Sequence, residues 1–257
     1  MNGLLDFTFD FLGHSKGKAI DVSKLDITTY TINQYESPLV ETRLLLTHLY
    51  FLSLKYLGSL AKTWWLDCKS RQTKISVESW TAKHISPLII SDALNQASAW
   101  GSSQDTSDPE VKQLTVRTSA RSGDLTASYP IDETSCAIQI SLPSTFPLHQ
   151  ATVSSISRVA LDERKWQAWL RITQGVIAFS NNDLVSGLTT FKRNVVGALK
   201  GQTECAICYS VVAEDGKLPS KRCRTCRNSF HGSCLFRWFK SSNGTSCPLS
   251  RNPFNYG

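Results

Sequence analysis

Six of the eight cysteines fall between Cys205 and Cys247, and their order leaves few folds open to that part of the chain. The segment reads Cys205-x2-Cys208, fourteen residues, Cys223-x2-Cys226, four residues, His231-x2-Cys234, twelve residues, Cys247-x2-Ser250. Thiolate and imidazole are the donors that four-coordinate zinc prefers, with bonds of about 2.3 and 2.0 Å. Two intervening residues close a tight turn that aims both donors of a pair at one ion, so four successive pairs predict two zinc ions. The last pair is incomplete: Ser250 stands at the eighth donor position, and no spare Cys or His follows it. A neutral hydroxyl is a much poorer ligand than a thiolate, which predicts a weaker second site. A module this small has little apolar core, so its folding free energy is expected from the metal, on the order of 10 kcal/mol per site. The donors are consumed in closed sites, which makes the zinc structural rather than catalytic.

Cys68 and Cys136 stand alone, the latter in an alternating segment that predicts a small buried residue. The first residues, MNGLLDFTFDFLGH, carry Asp6 and Asp10 where a secretory signal needs a positive start. No run of about 18 apolar residues offers a membrane span. A reducing, cytosolic location without a membrane partner is therefore expected, and clustered thiols there point to metal rather than disulfides.

With 41% hydrophobic residues and seven Trp the rest of the chain has material for real cores. Residues 1–35 show no clear pattern. Ser37-Pro38 opens a helix, Ser as N-cap and Pro in the first turn. From Leu39 to Trp65 apolar residues occur on nearly every face, so this helix must be covered by neighbours. A second helical pattern, Ile75 to about Trp100, is expected to end or kink at Pro87. Two such helices cannot bury themselves, and they read as the end of a helical repeat array or as helices packed on the next domain. Residues 101–110 (GSSQDTSDPE) read as a linker.

The period then changes to two. Leu114 and Val116, then Leu125, Ala127 and Tyr129, then Ile138, Ile140 and Leu142 predict three strands, and 151–160 a fourth. Two helices follow: one starting at Asp162 and carrying Trp166, Trp169, Leu170, Thr173 and Ile177; one carrying Leu184, Leu188, Phe191, Val195 and Leu199. Four meander strands followed by helices make an α+β layer domain. The fold class is thus α+β multi-domain: a helical segment over 1–100, the linker 101–110, the α+β domain over 111–200 and the zinc module over 201–257.

Charge is uneven. Residues 1–110 hold 10 basic against 12 acidic residues, 111–200 hold 10 against 6, and 201–257 hold 8 against 3. The basic half suits an acidic partner surface, or it compensates thiolates locally. His48, His84 and His149 have no partner spacing and read as core or surface residues. Ser-His-Asp arrangements, phosphate loops and paired-carboxylate motifs are absent, and Asn243-Gly-Thr reads as a turn.

The ligand order resembles the RING family, whose cross-brace implies one site from Cys205, Cys208, His231 and Cys234 and another from Cys223, Cys226, Cys247 and position 250, where that family has Cys. The runs CAICYSVV, LPSKRC, FHGSCLFRWFKSSNG and SCPLSRN resemble the C-terminus of the listerin family of RING ubiquitin ligases, which act in ribosome-associated quality control. LTVRTSARSGDLTASYPID, LPSTFPLHQ, KWQAWL and FKRNVVGALKGQTECAICY resemble that family's RWD domain, a conjugating-enzyme-like α+β fold. WWLDCKSRQ and VESWTAKHISPLII fit its preceding HEAT-like helices. Members are much longer, so the chain is expected to be a C-terminal piece.

The resemblance implies a ligase that holds a ubiquitin-loaded conjugating enzyme without itself bonding to ubiquitin, acting on stalled nascent chains on the large ribosomal subunit beside other quality-control subunits. Ile207, Trp238 and Pro248 are the implied conjugating-enzyme contacts, and Arg251 the implied clamp on ubiquitin; for each, core packing or an ordinary surface position is the alternative. Arg158, Lys165, Lys192 and Arg193 are candidates for contact with ribosomal RNA or protein, against a solvated helix face. Two other functions stay open: a non-catalytic zinc scaffold whose ligase activity is impaired by Ser250, and nucleic-acid binding by the basic module, which lacks a base-reading helix.

Overall fold

The computed structural model describes residues 2–31, 37–104, 112–159, 163–199, 203, 205–207 and 218–254. The N-terminal part is five helices: α1 (Asn2–Phe11), α2 (Pro38–Tyr56), α3 (Gly58–Asp67), α4 (Arg71–His84) and α5 (Ser86–Ser102). The first lies where the sequence showed no pattern. Leu5, Phe9 and Leu12 are fully buried, Phe9 stacks on Trp64 at 5.0 Å, and the Trp64 indole donates to Asp6 at 2.8 Å.

The single helix expected from Leu39 to Trp65 is two. Leu57 leaves helical geometry, and α2 and α3 meet at 111°. Gly58 opens α3 where a Cβ would lie 2.6 Å from Asn182 Nδ2, so a larger residue would need the Asn182 side chain to shift. Ser37 precedes α2 in extended geometry with Pro38 in the first turn, but its hydroxyl makes no cap bond. The break near Pro87 is as expected, with Ile85 separating α4 from α5. The last helix runs on through Gly101 and Ser102 into the stretch read as linker, where a Gly101 Cβ would meet Val116 Cβ at 2.8 Å. The rest of that stretch, 105–110, and the N-cap expected at Asp162 lie outside the described residues. Among the described residues no single helix is long and apolar enough to cross a membrane.

Four antiparallel strands follow in the order β1 (Thr115–Ser119), β2 (Asp124–Ile131), β3 (Thr134–Ser141) and β4 (Thr152–Ser157). Burial alternates strictly along β2, which puts Leu125, Ala127, Tyr129 and Ile131 on the covered face. Helices α6 (Glu163–Phe179) and α7 (Leu184–Leu199) cover that face with Trp166, Leu188 and Phe191. Each such buried side chain contributes about 1.5–3 kcal/mol of transfer free energy.

The N-terminal helices and the sheet domain share one continuous core from Leu5 to Val195. Gln104 sits at the seam: its amide donates to Leu114 O at 2.6 Å, and its oxygen accepts from Leu114 N at 3.0 Å and Lys192 Nζ at 2.9 Å. The C-terminal module has its own small core of Cys205, Cys223, Phe230, Leu235, Cys247 and Phe254, built around β5 (Lys221–Arg222), β6 (Ser229–Phe230) and α8 (Gly232–Ser242). Leu218 reaches from this module to the larger core.

Candidate metal centre

Two groups of donors come together in the C-terminal module. Cys205, His231 and Cys234 form one; Cys223, Cys226 and Cys247 form the other, and within each group the ligand atoms lie within 4.8 Å of one another. The sequence-derived partner of the first group, Cys208, lies outside the described residues.

In the first group, Ala206 N–H donates to Ser229 O at 3.0 Å, which ties the Cys205 turn to β6. His231 precedes α8 in extended geometry, and Cys234 follows within its first turn. Their donor atoms stand 3.7 Å apart, His231 Nδ1 to Cys234 Sγ. The backbone N–H of His231 points at Cys205 Sγ at 3.3 Å, an outer bond of the kind that steadies a thiolate ligand. Cys205 and His231 are fully buried.

The second group is carried by two turns. Cys226 Sγ and Cys247 Sγ are 3.8 Å apart, and Cys223 Sγ is 3.5 Å from Ser250 Oγ. The Ser250 hydroxyl, then the Cys226 backbone N–H, hold the Cys223 thiol down to about 6 from its usual value. Two tetrahedral zinc–thiolate bonds of about 2.3 Å put their sulfurs about 3.8 Å apart, so the donors fit the ion. Both groups are thus capable of coordinating zinc, with only three Cys or His donors in the second.

Around these groups, Ile207 is partly buried against the small core rather than free in solvent. Trp238 is 36% exposed, and its indole donates to Ser246 O at 3.0 Å. Pro248 is half-buried; Arg251 is exposed with a positive φ of 60°. Sequence reasoning missed two residues that are more than half exposed, Phe236 on α8 and Leu249 next to Pro248 in the chain. The signal for Phe236 was present: Leu235 and Phe239, four apart, take the core side of α8, which leaves Phe236 outside.

Cys136 is fully buried on β3, where burial raises its thiol pKa; no other cysteine lies in the sheet domain. Arg158 pairs with Glu163 at 2.7 Å and Lys192 is held by Gln104, so two of the four basic residues singled out are engaged within the chain. Arg193 is exposed, and the Lys165 side chain is outside the description. His48 meets Ile27 O at 2.9 Å, His84 lies 3.9 Å from Asp21 and His149 lies 3.8 Å from Glu78; none joins a metal-ligating group among the described residues.

Comparison with known proteins agrees with this layout. Residues 1–98 match the LTN1 family HEAT repeat region, 114–197 a ubiquitin conjugating domain-like family, and 203–251 the Ring finger domain. The chain is 48% identical to the E3 ubiquitin-protein ligase listerin of Neurospora crassa, an alignment covering 100% of this chain and 16% of that protein. It is 35% identical to listerin of Schizosaccharomyces pombe (98% and 16% covered) and 34% identical to listerin of Saccharomyces cerevisiae (97% and 17%). The chain thus spans about one sixth of these relatives. The three matches follow one another along a chain that aligns over 100% of its length with the Neurospora protein, and the chain belongs to the listerin family.

Proposed function

We propose that the chain is the ligase-bearing segment of a RING-type E3 ubiquitin-protein ligase acting in ribosome-associated quality control. In this reading Cys205, Cys208, His231 and Cys234 hold one zinc, and Cys223, Cys226 and Cys247 with position 250 hold the other. Zinc supplies no reaction chemistry; it staples a module whose own core is small. The segments 1–100, 111–200 and 201–257, with 101–110 as linker, serve as repeat end, RWD domain and RING.

The carrying observation is the exposed apolar surface where α8 is bonded to the turn of the second metal group: Trp238 and Leu249 exposed, with half-buried Pro248 in the same turn as Leu249. Such aromatic and aliphatic groups are costly to leave in water and suit a protein partner. A ubiquitin-loaded conjugating enzyme docks there, with Ile207, Trp238 and Pro248 as anchors. The reacting thioester belongs to that enzyme, and the contribution of this chain is orientation. Arg251, exposed on the last turn, offers a planar fork of donors to ubiquitin and the conjugating enzyme together. The modified protein is a nascent chain stalled on the large ribosomal subunit in the cytosol, beside other quality-control subunits, with Arg193 a candidate contact for ribosomal RNA or protein.

Single-turnover discharge of a ubiquitin-loaded conjugating enzyme tests this, on the chain and on Ser250→Cys, with Trp238→Ala as control. Acceleration by the parent or the Cys variant, lost on Trp238→Ala, supports the ligase. No acceleration by either leaves the zinc scaffold, the reading that Ser250 favours.

A further inference from the structure

The two turns of the second metal group are copies of one another. One reads Cys223-Arg-Thr-Cys-Arg-Asn228 and the other Cys247-Pro-Leu-Ser-Arg-Asn252. Each begins one residue after an antiparallel pair, Arg222 with Ser229 and Ser246 with Pro253. The first cysteine of each donates its N–H to the asparagine carbonyl, at 2.9 Å from Cys223 to Asn228 and 2.8 Å from Cys247 to Asn252. Each then receives a bond on its own carbonyl from the arginine N–H, at 2.9 Å from Arg227 and 3.0 Å from Arg251. Both arginines have φ of 60°. In this shared frame Ser250 occupies the place of Cys226.

The donor distances carry the comparison further. A tetrahedral centre with a zinc–sulfur bond of about 2.3 Å and a zinc–oxygen bond of about 2.1 Å separates sulfur from oxygen by about 3.6 Å. Cys223 Sγ and Ser250 Oγ are 3.5 Å apart, and the sulfur pair Cys226–Cys247 is 3.8 Å apart. The four atoms thus have two edges of one tetrahedron, a sulfur–oxygen edge and a sulfur–sulfur edge, each near its expected length.

We infer that Ser250 Oγ is the fourth ligand of the second zinc, so that this site is three thiolates and one neutral hydroxyl, not three thiolates and a water. The inference rests on the zinc reading above. A hydroxyl brings no charge to the ion and is a weak donor, so the second zinc leaves faster than the first, whose set is three thiolates and an imidazole. The chain therefore holds one tight and one exchangeable ion, and the exchangeable one is bound by the turn that carries Pro248 and Arg251.

The test uses the full chain loaded with zinc, its Ser250→Cys and Ser250→Ala variants, zinc-edge X-ray absorption and release to a colorimetric chelator. Release from the parent is expected in two equal phases. The fast phase slows at least about tenfold in Ser250→Cys and quickens at least about threefold, or is lost with its ion, in Ser250→Ala. Absorption should give about three sulfurs per zinc in the parent, rising to about 3.5 in Ser250→Cys. Fast-phase release from Ser250→Ala at the parental rate would overturn the inference, because water would then hold the position. A parent with a single bound zinc would overturn it too, while a chain that binds no zinc would instead remove the RING reading beneath it. If Ser250→Ala does not fold, Ser250→Thr and Ser250→Gly decide: a fast phase near the parental rate with the Thr hydroxyl and a quickened one with Gly is expected, and equal rates in the two would overturn the inference.

Discussion

The indole Nε1 of Trp238 donates to the carbonyl of Ser246 at 3.0 Å, which fastens α8 to the turn that carries Cys247, Pro248 and Ser250. The same side chain is 36% exposed, so it is both a brace and the surface proposed for docking. The two roles separate by substitution. Trp238→Phe keeps most of the apolar surface and loses the bond; Trp238→Ala loses both. Discharge of a loaded conjugating enzyme should fall more than about tenfold in Trp238→Ala and less than about threefold in Trp238→Phe, with zinc content held in the latter. Equal losses in the two would make the brace, not the docking face, the important role.

Much of this was readable beforehand, for physical reasons that differ by region. Period-two alternation identified β2, which buries one face only, and β3, where Cys136, Ile138 and Ile140 keep the period although Ala137 is buried as well. The bend at Leu57 was not readable: a helix apolar on all sides carries no phase, so nothing marks where its neighbours change, and Asn182, which lies close to Gly58 at the bend, is 124 positions away in sequence. The first helix escaped notice because Phe7, Phe9 and Phe11 alternate like a strand, while only Phe9 joins Leu5 and Leu12 in the core. The donor spacing predicted two zinc ions, and the resemblance to the RING family implied which pairs share an ion. The Cys247-x2-Ser250 spacing put Ser250 at a donor position; that its turn repeats the backbone bonds and the positive φ of the Cys226 turn is what spacing does not contain.

Chelation should unfold one part and spare the other. The module core is a handful of residues around Phe230, Leu235 and Phe254, separate from the core that runs from Leu5 to Val195. Removing an ion worth on the order of 10 kcal/mol should melt residues 203–254 and leave the rest folded. Hydrogen exchange read by mass spectrometry, with and without chelator, checks this: protection lost in α8 and kept in β2 and α7 is the expected result. Intact protection of α8 after complete metal removal would deny the staple.

Arg251 holds a left-handed backbone conformation that a side chain disfavours by about 1–2 kcal/mol. Arg251→Gly removes that strain and the guanidinium together. The expected outcome is a module at least as stable as the parent, with discharge of the loaded conjugating enzyme lowered about tenfold. Arg251→Lys keeps the charge without the planar fork and should fall between them. Paired measurements of the module's melting and of single-turnover discharge distinguish this from a merely structural arginine, for which stability and discharge would fall together.

His14 predicts how the N-terminal core responds to acid. It is fully buried, edge-on to Phe9 at 4.8 Å and Trp80 at 5.2 Å, with Nδ1 3.0 Å from Ser76 Oγ and Nε2 without a hydrogen-bond partner among the described residues. Burial pushes its pKa down to about 4, with no charged neighbour contributing. The folded value lies below the unfolded value of 6.5, so protons bind the unfolded chain more tightly. The stabilisation is complete above 6.5 and is lost as pH falls from there toward 4, at up to about 1.4 kcal/mol per pH unit. Zinc ligands also take up protons in acid, so the comparison is with His14→Gln, followed by fluorescence of the tryptophans packed around α1. The parent's urea midpoint should drop between about pH 7 and pH 5 by more than that of His14→Gln, with a differential loss of about 2 kcal/mol. Parallel pH profiles for the two proteins would place the acid sensitivity elsewhere, because His14→Gln removes the imidazole.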